Sequence, residues 1–373
     1  MTVPTPAPSG STPPARRRIA VVGAGVIGTH HGGVIASLAD RLELTAVVDV
    51  VAERAERLAA ARGGIPFTSL AAALASAEID VVAVCTPTGL HGEVAIEALG
   101  AGKHVIVEKP AEITVERTDE IIKAQQAAGT VVTVISQHRF DPSTETTLAA
   151  IRAGELGRLT SGIASIDWWR GQSYYDSGDW RGTWELDGGG ALMNQGVHTV
   201  DLLVAALGQP VEVFAYTGTL AHERIEVEDV AVAVVRFASG ALGVLHATTA
   251  AYPGLTARLQ VHGDRGSAVI DDDVLTFLHT TPADGAPEEK LMGSRSTAVN
   301  QVADLPAADV ARPTAGSDPG QLSLAHRFQY ENFLDALDGT AELRVDLETN
   351  RRSVGVITGV YESARTGRPV RLA

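Results

Sequence analysis

Short apolar runs alternate with longer segments of mixed polarity through the first third of the chain. Ile19–Val22, Leu44–Val48, Val81–Cys85, His104–Val107 and Val131–Ile135 are compact β-rich runs. Between them lie helical patterns such as Ala52–Arg62, Leu90–Ala101 and Thr114–Gln126. Strands apolar along their whole length are buried on both faces. Alternating with helices, they predict a parallel, doubly wound sheet. The pattern then changes: Leu159–Asp167, Glu212–Leu220, Asp229–Ala238, Ala241–Ala250 and Thr256–His262 read as strands with few helices between them. Ser239-Gly240 is a tight hairpin turn between two of these. A second domain of α+β type with a mostly antiparallel sheet follows.

The expected organisation is a disordered tail over residues 1–17, a first domain over 18–138 and a second over 139–373. Residues 280–320, rich in Ala, Pro, Asp and Ser, read as a loop insertion. Helices near Leu322–Leu337 and Glu348–Thr366 close the chain and are placed to pack back on the first domain.

Composition narrows the function. The 373 residues carry 30 basic and 45 acidic side chains, a formal charge of −15, which argues against a nucleic-acid or anionic-membrane partner. No apolar run reaches the roughly 18 residues that span a bilayer. The single cysteine, Cys85, fits a reducing compartment, and a cytoplasmic location is expected. Arg16, Arg17 and Arg18 before an apolar run suggest a twin-arginine signal, but Ile19–Val22 reads better as a buried strand. No metal site is expected.

Gly23-Ala24-Gly25-Val26-Ile27-Gly28 directly follows the first strand and opens a helix. Gly23 suits the tight turn, Gly25 lets backbone approach a pyrophosphate, and Gly28 allows close helix–strand packing at a helix N-terminus that attracts the anion. Asp49 ends the second strand, where its carboxylate would accept from ribose hydroxyls. It would repel a 2′-phosphate, and positions 50 to 52 supply no cation; Arg54 lies farther on. NAD is therefore expected over NADP. Thr86 and Pro87 end the strand Val81–Cys85 on the ligand-binding edge, with His91 just beyond as a further cofactor candidate. Thr88 either joins them or simply caps the next helix.

Glu108-Lys109-Pro110 falls on the same edge, which makes Glu108 and Lys109 further cofactor candidates, and Pro110 keeps Lys109 out of helical conformation. Downstream, Gly188-Gly189-Gly190 precedes a helix on which Asn194, His198 and Asp201 share one face. All four tryptophans, including Trp168 and Trp180, lie between positions 168 and 184 with Tyr174, Tyr175, Arg170 and Arg181. Aromatic faces stack on sugar C–H faces while polar groups read hydroxyls. The competing reading is a packing cluster. The two arginines either pair with Asp176, Asp179 or Asp187, or face an anionic group on a ligand.

Together, Gly23-x-Gly25-x-x-Gly28, Glu108-Lys109-Pro110, Gly188-Gly189-Gly190…Asn194-x-x-x-His198 and Arg139-Phe140-Asp141-Pro142 resemble the glucose–fructose oxidoreductase/inositol dehydrogenase/MocA family over nearly the whole chain. The resemblance implies a Rossmann domain, then an open-sheet domain that commonly mediates homo-oligomerisation. It also implies NAD(P)-linked chemistry on a secondary alcohol of a sugar or cyclitol, with Lys109 and His198 in the family's catalytic positions. Asn194 stands where inositol dehydrogenases carry aspartate. The leading expectation is an NAD-dependent sugar oxidoreductase acting on a ring hydroxyl, at C3. His198 would be the base, Lys109 the oxygen stabiliser, Asn194 a positioning group, and His138 and Arg139 substrate neighbours. Two alternatives stay open. One is a redox-neutral glycosidase working by transient C3 oxidation, with Tyr174, Tyr175 and His138 as acid/base candidates. The other is a catalytically silent NAD sensor.

Overall fold

The computed structural model describes residues 16–282, 284–285, 292–294, 298–306 and 323–372. Its apolar runs become β1 (Arg17–Val22), β2 (Leu42–Val48), β3 (Ile65–Phe67), β4 (Val81–Val84), β5 (His104–Val107) and β6 (Val132–Val134). These form one sheet in the order β3-β2-β1-β4-β5-β6, parallel throughout. Alternate residues of β1 feed opposite faces: Ile19 and Val21 enter one core, Ala20 and Val22 the other. Strand order reverses between β1 and β4, and a crevice opens there at the strands' carboxyl ends. The short β3 and the helix Leu70–Ser76 were not predicted; β3 has only three residues, too few to show a period.

The second sheet holds β7 (Leu159–Asp167), β8 (Pro210–Gly218), β9 (Val230–Phe237), β10 (Leu242–Thr248), β11 (Ala257–Gly263), β12 (Ser267–Asp271), β13 (Val274–His279) and β14 (Val370–Arg371). Its order is β13-β12-β11-β7-β10-β9-β8-β14. Every neighbouring pair is antiparallel except β7–β10, which is parallel. Helix Val197–Leu207 packs Val200, Leu203 and Leu207 into the core on one face of this sheet. The other face leaves Tyr216, Val232, Val234, Leu242 and Val244 exposed.

The chain's end joins the two sheets. Tyr330, Phe333 and Leu334 of helix Ser323–Leu337 complete the first core. The last helix, Leu347–Thr366, inserts Leu347 beside the first sheet and Val356, Ile357 and Val360 beside the second. Residues 1–15, most of the expected tail, lie outside the described residues, as does much of 280–320. Within that insertion Gln301–Asp304 forms a short 3₁₀ turn against β13.

Candidate active site

The crevice carries a cradle suited to a dinucleotide. Gly23 has φ +96°, and a Cβ there would strike the backbone of Cys85. A Cβ on Gly28 would meet the Gly23 carbonyl oxygen, whereas one on Gly25 would meet only open space. Gly25 thus leaves room at the start of helix Val26–Ser37, where Val26 is 71% exposed and Ile27 packs beside the core. Asp49 accepts from Ala24 N at 2.8 Å and Val51 N at 2.9 Å, pinning the carboxylate beside the glycine loop. Thr86 Oγ1 is buried without a hydrogen-bond partner among the described residues, in the turn that Pro87 continues. Room, helix terminus, carboxylate and orphan hydroxyl all fit NAD. Arg54 sits exposed in the first turn of helix Ala52–Arg62.

Two expected cofactor contacts are corrected. The His91 ring is buried, with Nδ1 2.8 Å from Pro110 O and Nε2 2.9 Å from Thr86 O. It ties the Thr86 turn to the Lys109–Pro110 turn, and both nitrogens are occupied by backbone. Glu108 points into the protein: Oε1 lies 2.9 Å from His31 Nε2 and 3.5 Å from His326 Nε2, and Oε2 accepts from Lys109 N. Burial would raise Glu108, but hydrogen bonds from His31 and His326 outweigh it and hold the carboxyl well below its usual range.

Lys109, across a cis peptide from Pro110, reaches out and donates from Nζ to Asn194 O at 2.9 Å. It lines one cavity with His198, His138, Ser136 and Asp201. Burial lowers Lys109; Glu108 and Asp187 oppose that, and Arg181 and Arg170 add to it. Burial, then the charges of Lys109 and His138, holds His198 well below 6.5, so its imidazole is neutral at pH 7.

The helix bearing His198 departs from expectation. Ala191–Gly196 is π-helical and Val197–Leu207 α-helical, so the Asn194–His198 spacing crosses a change of pitch. Glu228 caps the segment: its carboxylate accepts from Gly190 N and Leu192 N, and its carbonyl from Ala191 N. Tyr361 hydroxyl takes Met193 N. The glycines admit these groups; a Cβ on Gly190 would strike the Glu228 carbonyl. Asp201 is spent on Arg139, with contacts of 2.6 and 2.7 Å. Arg139 is therefore a buried strut that ties the segment Gln137–Phe140 to the helix Val197–Leu207 and is withdrawn from the substrate wall.

His138 lies edge-on to His198, ring centroids 5.0 Å apart. Its Nδ1 is 2.8 Å from Asp141 and 3.1 Å from Asp273. Burial would lower this imidazole, but the two aspartates hold it well above 6.5.

The aromatic segment divides. Tyr175 is buried with its hydroxyl 2.7 Å from Thr249 Oγ1, so it is packing and not substrate wall. Trp169 packs against His222 and Tyr252, and Trp184 against Tyr361. Trp168, Tyr174 and Trp180 instead carry guanidinium groups. Arg170 lies 5.1 Å from the Trp168 ring and 5.4 Å from Tyr174; Arg181 lies 4.3 Å from Tyr174 and 4.4 Å from Trp180. The alternative that these arginines pair with Asp176, Asp179 or Asp187 fails: neither forms an ion pair among the described residues. Asp176 pairs with Arg224, and Asp187 accepts from Gly182 N and Asn194 Nδ2. A residue the sequence did not single out, Gln195, joins the group. Its carbonyl accepts from Arg170, and its amide donates to Tyr174 hydroxyl and Asn194 Oδ1.

Residues 17–136 match the model of the GFO/IDH/MocA oxidoreductase family's NAD-binding Rossmann fold, and residues 144–269 match its C-terminal domain. The chain is similar to the WlbA dehydrogenase of Bordetella pertussis, solved with NADH and UDP-GlcNAcA: 33% identical, covering 96% of this chain and 99% of that one, TM-score 0.81. The WlbA enzyme of Chromobacterium violaceum, with the same ligands, is 31% identical over 100% and 99% of the two chains, TM-score 0.81. Myo-inositol 2-dehydrogenase of Thermotoga maritima is 29% identical over 281 residues, 72% of this chain and 79% of its own.

Proposed function

The chain belongs to the GFO/IDH/MocA family and is an NAD-dependent oxidoreductase; from that premise we propose that it oxidises a ring hydroxyl, at C3, of a hexose or glycoside. The observation that carries this reading is that Lys109, just past the carboxyl end of β5, lines one cavity with His198. NAD, when bound, is the hydride acceptor. The neutral imidazole of His198 takes the hydroxyl proton, and the Lys109 ammonium donates a hydrogen bond to the oxygen as it gains charge. Asn194, its side chain fixed by Asp187 and Gln195, orients the sugar. Trp168 and Tyr174 supply stacking faces.

The test is NADH formation with a panel of hexoses and glycosides, the oxidised carbon being located by NMR. No NADH from any member, or oxidation at another carbon, breaks the reading. A redox-neutral glycosidase is the second reading. Both contacts of Tyr174 hydroxyl are donors to it, so its own hydrogen remains to serve as an acid. Aglycone release from aryl glycosides without NADH accumulation selects that chemistry.

The exposed apolar face formed by Tyr216, Val232, Val234, Leu242 and Val244 is assigned to contact between copies of the chain. Val234→Glu is expected to shift the sedimentation coefficient towards the monomer. No described helix is long and apolar enough to cross a membrane, and the buried thiol of Cys85 suits the cytoplasm.

A further inference from the structure

We propose that Arg170, Arg181 and the phenol of Tyr174 form a carboxylate subsite, so that the substrate is a sugar acid of the hexuronate class. This rests on the sugar-oxidising reading above and names the substrate it takes.

Charge comes first. Around Tyr174 stand two cations, Arg170 and Arg181. One carboxylate, Asp187, faces them, and it forms no ion pair with either. A half-buried guanidinium without a counter-ion is costly, which leaves a place for one negative charge.

Hydrogen bonding points the same way. Among the described residues Arg170 donates to Trp169 O at 3.2 Å and Gln195 Oε1 at 3.1 Å, and Arg181 to Tyr174 hydroxyl at 2.7 Å. Most of each fork of donors is left over. Tyr174 hydroxyl also receives Gln195 Nε2 at 3.0 Å, so its own hydrogen is a further unspent donor. The rings of Trp168, Tyr174 and Trp180 lie under the guanidinium planes and restrict how they turn. Donors in excess of acceptors and fixed planes are what a carboxylate's two oxygens require.

The site is joined to the catalytic groups. Gln195 bonds Asn194 Oδ1, and Asn194 O takes Lys109 Nζ. An acid group held by the arginines therefore positions the ring of the same sugar towards Lys109.

The test uses the protein saturated with NADH, which allows binding to be read without turnover. Methyl glycosides of gluco-, galacto- and manno-hexuronic acids are titrated by calorimetry against their neutral hexosides, free and as UDP-linked sugars, with the hexose 6-phosphates as a third arm. At least one acid is expected to bind about 10- to 100-fold tighter than its neutral partner. Arg170→Met and Arg181→Met are each expected to lose most of that advantage while changing neutral-sugar affinity less than about threefold. Arg→Lys at either position should recover part of it. Equal affinity for every acid and its neutral partner in the wild-type protein overturns the proposal. Equal loss on both sugars in folded variants, or tighter binding of the phosphates, overturns it as well. Tight, arginine-dependent binding of an acid that yields no NADH when NAD is supplied sinks the oxidation reading and leaves the carboxylate subsite standing.

Discussion

Lys109 stands between two charged regions that are built in opposite ways. On the Rossmann side, Glu108 is enclosed. His31 and His326 face one oxygen, Lys109 N holds the other, and Tyr330 hydroxyl backs His31 at 2.6 Å. On the other side, Arg170 and Arg181 rest on aromatic rings, bonded to neutral groups and carrying no carboxylate. A buried charge whose partners all come from the chain serves the fold. A charge whose donors exceed its partners is held for something that arrives later. The difference separates the residues that position Lys109 from those that read a ligand.

The sharpest way to break the contrast is to remove the group between the two regions. Lys109→Ala is expected to lower kcat by roughly 10²- to 10⁴-fold while NADH affinity, read by fluorescence, stays within about threefold. Unchanged turnover would make Lys109 a bystander. The pH profile refines this prediction. In the proposed reaction His198 is the base, and burial holds its imidazole well below 6.5, so kcat/KM should hold from pH 7 to 6.5 and fall only at lower pH. In Lys109→Met the acid limb should move up, because a cation that disfavours the imidazolium is gone. A wild-type acid limb at or above 6.5 would contradict the burial of His198.

The Rossmann side is tested by stability. Glu108→Gln should cost about 1.5–3 kcal/mol in urea denaturation, the scale of hydrogen bonds to a charged group. Arg181→Met should cost less than Glu108→Gln, because what its cation–π contacts contribute is offset by the half-burial of a guanidinium without a counter-ion. Equal costs at the two sites would erase the distinction. A pH-dependent effect concerns Glu228, which burial lifts from 4.5 to about 7 although two backbone amides and Tyr361 donate to it. Its folded state holds the proton more tightly than the unfolded chain does. The associated stability is complete below pH 4.5 and is lost as pH rises through about 7. Replacing it in Glu228→Gln should flatten the dependence of Tm on pH across that interval, by about 3 kcal/mol at most. An unaltered slope would place the titrating group elsewhere.

What was legible in the chain follows from the range of the forces involved. Apolar runs such as Val81–Val84 specify a buried strand through their own side chains. The turn at Gly23 needs a glycine because its φ is +96°. The sequence by itself therefore determined the parallel sheet, the phosphate loop, the second sheet's main strands and the placing of Lys109 at a strand's carboxyl end. It did not determine what became of the charges. Arg139 and Asp201, both read as parts of a polar site, neutralise each other across 62 positions, and His91 turned inward to two carbonyls. Glu228, from 38 positions downstream, caps the π turns that a four-residue spacing had concealed. A buried charge is settled by whichever partner the fold brings within about 3 Å, and that partner lies in another part of the chain. Only the tertiary structure could show that Glu108 had found its partners and that Arg170 and Arg181 bond neutral groups and pair with no carboxylate among the described residues.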